Sequence, residues 1–157
     1  MGRKIKFYPS TELKEYFKKC FGIYRYFYNK TAKFHNTQYE NKSKEILELK
    51  SNNKCCYFSG SYCSKTSCVD DVFFCDKHKG EKLNFGTNVS FIDARNKLLT
   101  PNKLLKDDEK WQSEVPYDLR QYAVKDACDA LKTCLKNKTT KHIKNFKLRY
   151  KEKRNMY

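Results

Sequence analysis

The stretch TELKEYFKKCFGIYRYFYNK, residues 11–30, decides the fold. Its apolar side chains fall at Leu13, Tyr16, Phe17, Cys20, Phe21, Tyr24, Phe27 and Tyr28, the three-and-four spacing of a buried helical stripe. Pro9 stops whatever precedes it, Ser10 or Thr11 can cap the helix, and Glu12 and Glu15 suit the positive end of its dipole. A glycine inside a helix costs about 1 kcal/mol relative to alanine. Gly22 is therefore expected to mark the close approach of another backbone. Upstream, Arg3 to Tyr8 alternates basic and apolar residues and predicts a short strand. Downstream, Asn41 to Leu49 predicts a further helical piece, broken at Ser51, Asn52 and Asn53.

Working outward, Pro116 opens a second helix, since the first turn does not need its missing N–H. The apolar stripe there is Leu119, Tyr122, Ala123, Ala127, Ala130, Leu131, Cys134 and Leu135, whose small members imply tight packing, and Asn137 is the expected stop. Val89 to Leu99 reads as strand or helix. Ile143, Phe146, Leu148 and Tyr150 lie in a basic run from Lys136 to Arg154 and predict a terminal strand. The expected fold class is α+β: a helical bundle joined to a small basic β-wedge, with a loop-rich zinc module inserted. The working parts are residues 1–54, 55–82 and 83–157.

The charge is unevenly placed. The 157 residues carry 34 Lys+Arg against 18 Asp+Glu, a net charge of +16. Residues 1–54 hold +8, residues 116–157 hold +8, and the stretch between is neutral. Two basic ends around a neutral middle suit a polyanion-binding face to which both ends contribute. Aromatic content of 15% argues against a disordered basic tail. No apolar run approaches the ~18 residues of a membrane span, and the first residues lack the apolar core of a signal peptide, so an intracellular location, cytoplasm or nucleus, is expected.

Five of the eight cysteines lie between Cys55 and Cys75. Clustered cysteines in a reducing compartment more often hold metal than form disulfides. Zinc takes four soft or borderline ligands, and Cys75-x-x-His78 lets one tight turn present two of them. The preferred second pair is Cys56 with Cys63, with Cys55 and Cys68 as alternates. A closed four-ligand site is structural, and no glutamate stands near it as in the zinc deaminases. Cys20, Cys128 and Cys134 read as core residues on helix stripes, His35 and His142 as surface histidines.

At the first helix a resemblance emerges. Lys19 to Lys30, with Phe21-Gly22, Arg25 and Asn29, resembles the amino-terminal helix of the TnpB and Fanzor proteins, RNA-guided nucleases of insertion-sequence-type transposons, some eukaryotes and large DNA viruses. Trp111 to Ala130, with Pro116, Arg120, Ala123, Asp126 and Ala127, is similar to a later helix of that family, and Ile143 to Lys151 to the basic strand after it. The resemblance implies a β-wedge and a helical recognition lobe that grip guide RNA and its hybrid with target DNA through the backbone. The nucleic-acid-binding residues it implies are Arg3, Lys4, Lys6, Arg25, Lys30, Lys144, Lys147, Arg149, Lys151, Lys153 and Arg154. The family's RuvC-like nuclease domain lies after the matched region, and this sequence ends at Tyr157 before any such segment. No catalytic residue is therefore assigned, and a RuvC-type partner is expected. The second reading is a stand-alone zinc-containing DNA-binding regulator.

Overall fold

The computed structural model describes residues 8–59, 61–65, 74–78, 90–140 and 147–152. The described residues are mainly α. Helix α1 (Thr11–Ser51) is followed by a hairpin of strands β1 (Phe58–Ser59) and β2 (Ser61–Tyr62), a 3₁₀ turn at Asp76–His78, helix α2 (Phe91–Leu98), 3₁₀ segments at Asn102–Leu104 and Asp107–Glu114, and helix α3 (Tyr117–Thr139). They belong to two compact units, one drawn from Met1–Lys33 with Val89–Tyr157, the other from Phe34–Asn88.

Ser10 caps α1, its Oγ accepting from the Leu13 N–H at 3.3 Å. The two helical pieces expected before Ser51 are one uninterrupted helix of 41 residues. Nothing in the sequence interrupts it, for no glycine or proline occurs between Gly22 and Ser51. It stops where Asn53 takes a positive φ of 52°. The Lys54 N–H then reaches Leu49 O at 2.8 Å and the Asn53 N–H reaches Lys50 O at 3.0 Å, the paired bonds of a Schellman cap.

In the first unit, α1 buries Ile23, Phe27, Tyr28, Thr31 and Ala32, and α3 buries Arg120, Ala123, Val124, Ala127, Cys128 and Leu131. The α3 stripe is thus rotated from the expected one: Tyr122 faces out, 59% exposed, and Arg120 and Val124 face in. Near the start of α1, Tyr16 and Phe21 are also exposed rather than covered. The segment from Val89 to Leu99 resolves as helix, with Ser90 Oγ capping it through the Asp93 N–H at 3.3 Å. This helix packs on α3, and the small residues Ala94, Ala123 and Ala127 are fully buried. Helix α3 runs past Asn137 to Thr139. Burial pushes the Cys128 thiol up to about 11, so it stays protonated and inert at neutral pH.

The expected β-wedge is not supported. Its first strand, apart from Tyr8, lies outside the described residues, and 147–152 forms neither helix nor strand. In place of a ladder, the Asn29 side-chain amide satisfies both backbone groups of Lys151: Asn29 Nδ2 donates to Lys151 O at 3.0 Å and Lys151 N donates to Asn29 Oδ1 at 2.7 Å. Leu148 is buried beside this clamp in sequence. Asn29→Ala should free the segment, at a cost of about 1–2 kcal/mol for two partly exposed bonds. Loss of hydrogen-exchange protection at the Lys151 amide, with α3 still protected, is the expected readout; unchanged protection there would show that the clamp does not hold the segment.

Arg120 is the largest fully buried side chain among the described residues. Among these residues no carboxylate meets it; Nη1 donates to Thr100 O at 3.4 Å, Nη2 to Asn102 Oδ1, and Nε has no acceptor. The guanidinium lies 4.9 Å from the Tyr117 ring centre and 5.9 Å from that of Phe27. Burial lowers its pKa from the ordinary arginine value, although a guanidinium remains charged.

Candidate metal centre and nucleic-acid interface

In the second unit, the later part of α1 carries the hairpin. Tyr62 of β2 donates its hydroxyl to Glu45 Oε2 at 3.0 Å, and Lys42 Nζ sits 4.4 Å over the Tyr62 ring while pairing with Glu45. The strands pair antiparallel with Phe58 opposite Tyr62 and Ser59 opposite Ser61. That register brings Cys63 N to Tyr57 O at 3.0 Å and places Cys55 N on Lys65 O at 2.8 Å, so the hairpin's two ends hold Cys55 and Cys63 close together. The 3₁₀ turn at Asp76–His78 does the same for Cys75 and His78, with His78 N on Cys75 O at 2.8 Å.

The ligand atoms of Cys55, Cys63, Cys75 and His78 all lie within 4.8 Å of one another. His78 Nδ1 is 3.3 Å from Cys75 Sγ and 3.5 Å from Cys55 Sγ, and Cys63 Sγ is 3.9 Å from Cys75 Sγ. Zinc bonds of ~2.3 Å to sulfur and ~2.0–2.1 Å to nitrogen set tetrahedral edges of about 3.8 Å between sulfurs and about 3.6 Å between sulfur and nitrogen. The observed separations are close to those edges. A Cys₃His set of this size can hold a metal ion. Tyr57 stacks on the His78 ring at 3.8 Å and 13°, fixing its plane with Nδ1 toward the sulfurs. Burial raises the Cys55 thiol. At Cys75 burial acts in the same direction but is outweighed by hydrogen bonds from Cys55, Cys63 and the backbone N–H groups of Lys77 and His78, so that this thiol lies below its ordinary value.

Cys56, the preferred fourth ligand from sequence, does not join the cluster. Its Sγ turns to Ile46 O and Lys54 O, each at 3.7 Å, and Cys55 takes the place beside Cys75. Neighbouring residues in non-helical chain project to opposite sides, so only one of the adjacent pair can face the cluster. Cys68 lies outside the described residues. His35, expected at the surface, is buried, and burial holds its imidazole below the ordinary value against a raising hydrogen bond from Gln38.

The basic residues separate into three groups. Arg3, Lys4, Lys6, Lys144, Lys153 and Arg154 lie outside the described residues, as does His142. Lys147 and Arg149 are exposed. Lys151 is engaged within the fold: its Nζ donates to the Tyr24 hydroxyl at 3.2 Å and lies 4.5 Å and 4.2 Å from the ring centres of Tyr24 and Tyr28. Tyr24 in turn donates to Asp126, and burial, followed by that contact, raises its hydroxyl above the ordinary tyrosine value. Lys30 donates to Leu98 O at 3.2 Å. Arg25 is half-buried and has no hydrogen-bond or ion-pair partner among the described residues.

Residues 1–44 match the helix-turn-helix domain family of the IS605 OrfB proteins, which supports a DNA-binding, transposase-like segment there. Between Thr11 and residue 44 the chain is one continuous helix, so no turn followed by a second helix is formed within that stretch. No curated protein and no solved structure matches the chain. No helix of the described residues is long and apolar enough to cross a membrane.

Proposed function

We propose that this chain is the nucleic-acid-gripping portion of a TnpB/Fanzor-like RNA-guided nuclease. It holds guide RNA, target DNA or their hybrid through backbone contacts. The observation that carries this reading is the match of residues 1–44 to the OrfB helix-turn-helix family. The continuous α1 favours shape and backbone recognition over a recognition helix that follows a turn into a groove. Residues 55–82 form the zinc module, in which Cys55, Cys63, Cys75 and His78 would hold the ion. Bound zinc would cross-link the hairpin to the 3₁₀ turn as a structural staple.

Purifying the full chain and sequencing the nucleic acid that travels with it tests the reading. A defined structured RNA is expected. Retention of no RNA, with preference for one short duplex DNA site, would replace it with the stand-alone regulator. Binding should also fall steeply with salt, by ~10³–10⁵ between 50 and 200 mM for about 6–10 phosphate contacts.

A further inference from the structure

Gly22 poses a problem that the fold does not solve. Among the described residues, a Cβ built on it meets nothing within 4 Å, so no described backbone requires a glycine there. The open space is part of a cleft of about 700 Å³, whose lining includes Gly22, Arg25, Tyr26, Lys33, Trp111 and Tyr150. This is the size of a small-ligand site, for which ~300–1,000 Å³ is usual, and far too small for a duplex.

The lining has two kinds of chemistry. Tyr26, Trp111 and Tyr150 are 44%, 36% and 48% exposed, although large aromatic rings are ordinarily better covered. Tyr26 and Trp111 meet edge to face at 5.0 Å and 87°, which fixes their ring planes. Arg25, Lys30 and Lys33 supply positive charge, and the described lining residues include no carboxylate. Lys30 is held by Leu98 O. Arg25 and Lys33 have no partner among the described residues, and eight residues of helix set them about 12 Å apart along the axis. Exposed rings and two unspent cations in one cleft fit a flat aromatic ring flanked by phosphates.

We propose that this cleft takes one unstacked nucleotide of a single strand, its base stacked on one ring face of the group Trp111, Tyr26 and Tyr150 and its flanking phosphates on Arg25 and Lys33. Gly22 is the floor of the cleft, kept bare so that the base can enter. The inference rests on the nucleic-acid-binding reading and deepens it, naming the unpaired nucleotide as what this face of α1 holds.

Trp111 is the single tryptophan of the chain and reports on the cleft directly. Full-length protein is titrated with a ten-nucleotide oligo-dT, oligo-U, a ten-base-pair duplex and polyglutamate, following tryptophan fluorescence and, separately, the anisotropy of labelled strands. Single strands are expected to quench Trp111. Quenching by either sugar supports the site, and the tighter of the two names the strand it takes. Gly22→Leu should raise the melting temperature, since it improves the helix, while weakening single-strand binding at least tenfold. A role confined to helix stability cannot give that pair of results. Arg25→Gln should weaken binding about tenfold and lower the salt slope by about 1. Equal quenching by duplex or polyglutamate, or unchanged binding and quenching by Gly22→Leu, would overturn the cleft assignment. Strands that bind by anisotropy without affecting Trp111 would overturn the cleft alone and leave the proposed function standing. Absence of binding to any nucleic acid would remove both.

Discussion

Cys75→Ser should take the bound metal of the purified chain from about one ion to near none, and Cys55→Ser should do the same, whereas Cys56→Ser should leave it unchanged. Cys55 and Cys75 contribute sulfurs to a set whose spacings fit a tetrahedron, while the Cys56 sulfur is turned to Ile46 O and Lys54 O. Two adjacent cysteines of the same size and burial thus give opposite results, which separates ligation from packing. The effect on folding should be large, because structural zinc contributes an apparent ~10–16 kcal/mol to small metal-dependent modules at pH 7. The buried cluster it would hold is small: Cys55, Phe74 and Cys75, with Tyr57 and Cys63 packed against it. Elemental analysis gives the stoichiometry. Hydrogen exchange in a chelator should show protection lost over 55–65 and 74–78 and kept in α3. Acid should act like the chelator, since the thiols and His78 must be deprotonated to bind, so affinity falls as pH falls. Metal lost from Cys56→Ser and kept in Cys55→Ser would reverse the assignment, and metal-free wild-type protein would abolish the site.

Arg120→Ala should be the most damaging single change in the first unit, lowering stability by roughly 3–5 kcal/mol. The substitution empties the space of a fully buried side chain and strips partners from Thr100 O and Asn102. Arg120→Met should cost about 1–2 kcal/mol less than the alanine change, because the methionine refills much of the volume and carries neither a charge nor an unpaired Nε into the interior. Urea midpoints for the three proteins provide the check. A methionine variant as unstable as the alanine one would mean that the guanidinium's contacts to Thr100, Asn102, Tyr117 and Phe27 matter more than filled space.

The sequence made some features legible and hid others for definite reasons. The start of α1 could be read because Pro9, Ser10 and Glu12 are local signals, and the start of α3 because Pro116 is another. The tight Cys75–His78 turn is equally local. The choice between Cys55 and Cys56 was not legible, since it depends on which side of the chain faces the turn, and that is set by the pairing of Phe58 with Tyr62. The expected stripe of α3 includes Tyr122 and leaves out Arg120 and Val124. Tyr122 is apolar enough to suggest burial and Arg120 polar enough to suggest exposure, yet carbonyl acceptors and two ring faces made the interior suitable for the arginine. Lys151 looked like a phosphate ligand within a basic run, and its aromatic neighbours lie 127 and 123 residues earlier, beyond any spacing rule. Gly22 is expected to be a packing glycine because the usual cause of a helical glycine is a close neighbour, and among the described residues it has none within 4 Å of a built Cβ.

The clamp between Asn29 and Lys151 also bears on the order of events during synthesis. Its partners are 122 residues apart, and the Tyr24–Asp126 pair is 102 apart. The unit they close is drawn from two separate stretches, Met1–Lys33 and Val89–Tyr157, whereas the other is drawn from the single stretch Phe34–Asn88. At about 5–20 residues per second, the ribosome releases everything the nested unit needs several seconds before residue 151 emerges. The metal-ligand cluster can therefore assemble on a chain whose Phe27 ring still waits for Arg120 of α3. During that interval the Phe27 ring lacks that neighbour, and a nascent-chain chaperone would have its opportunity to bind it.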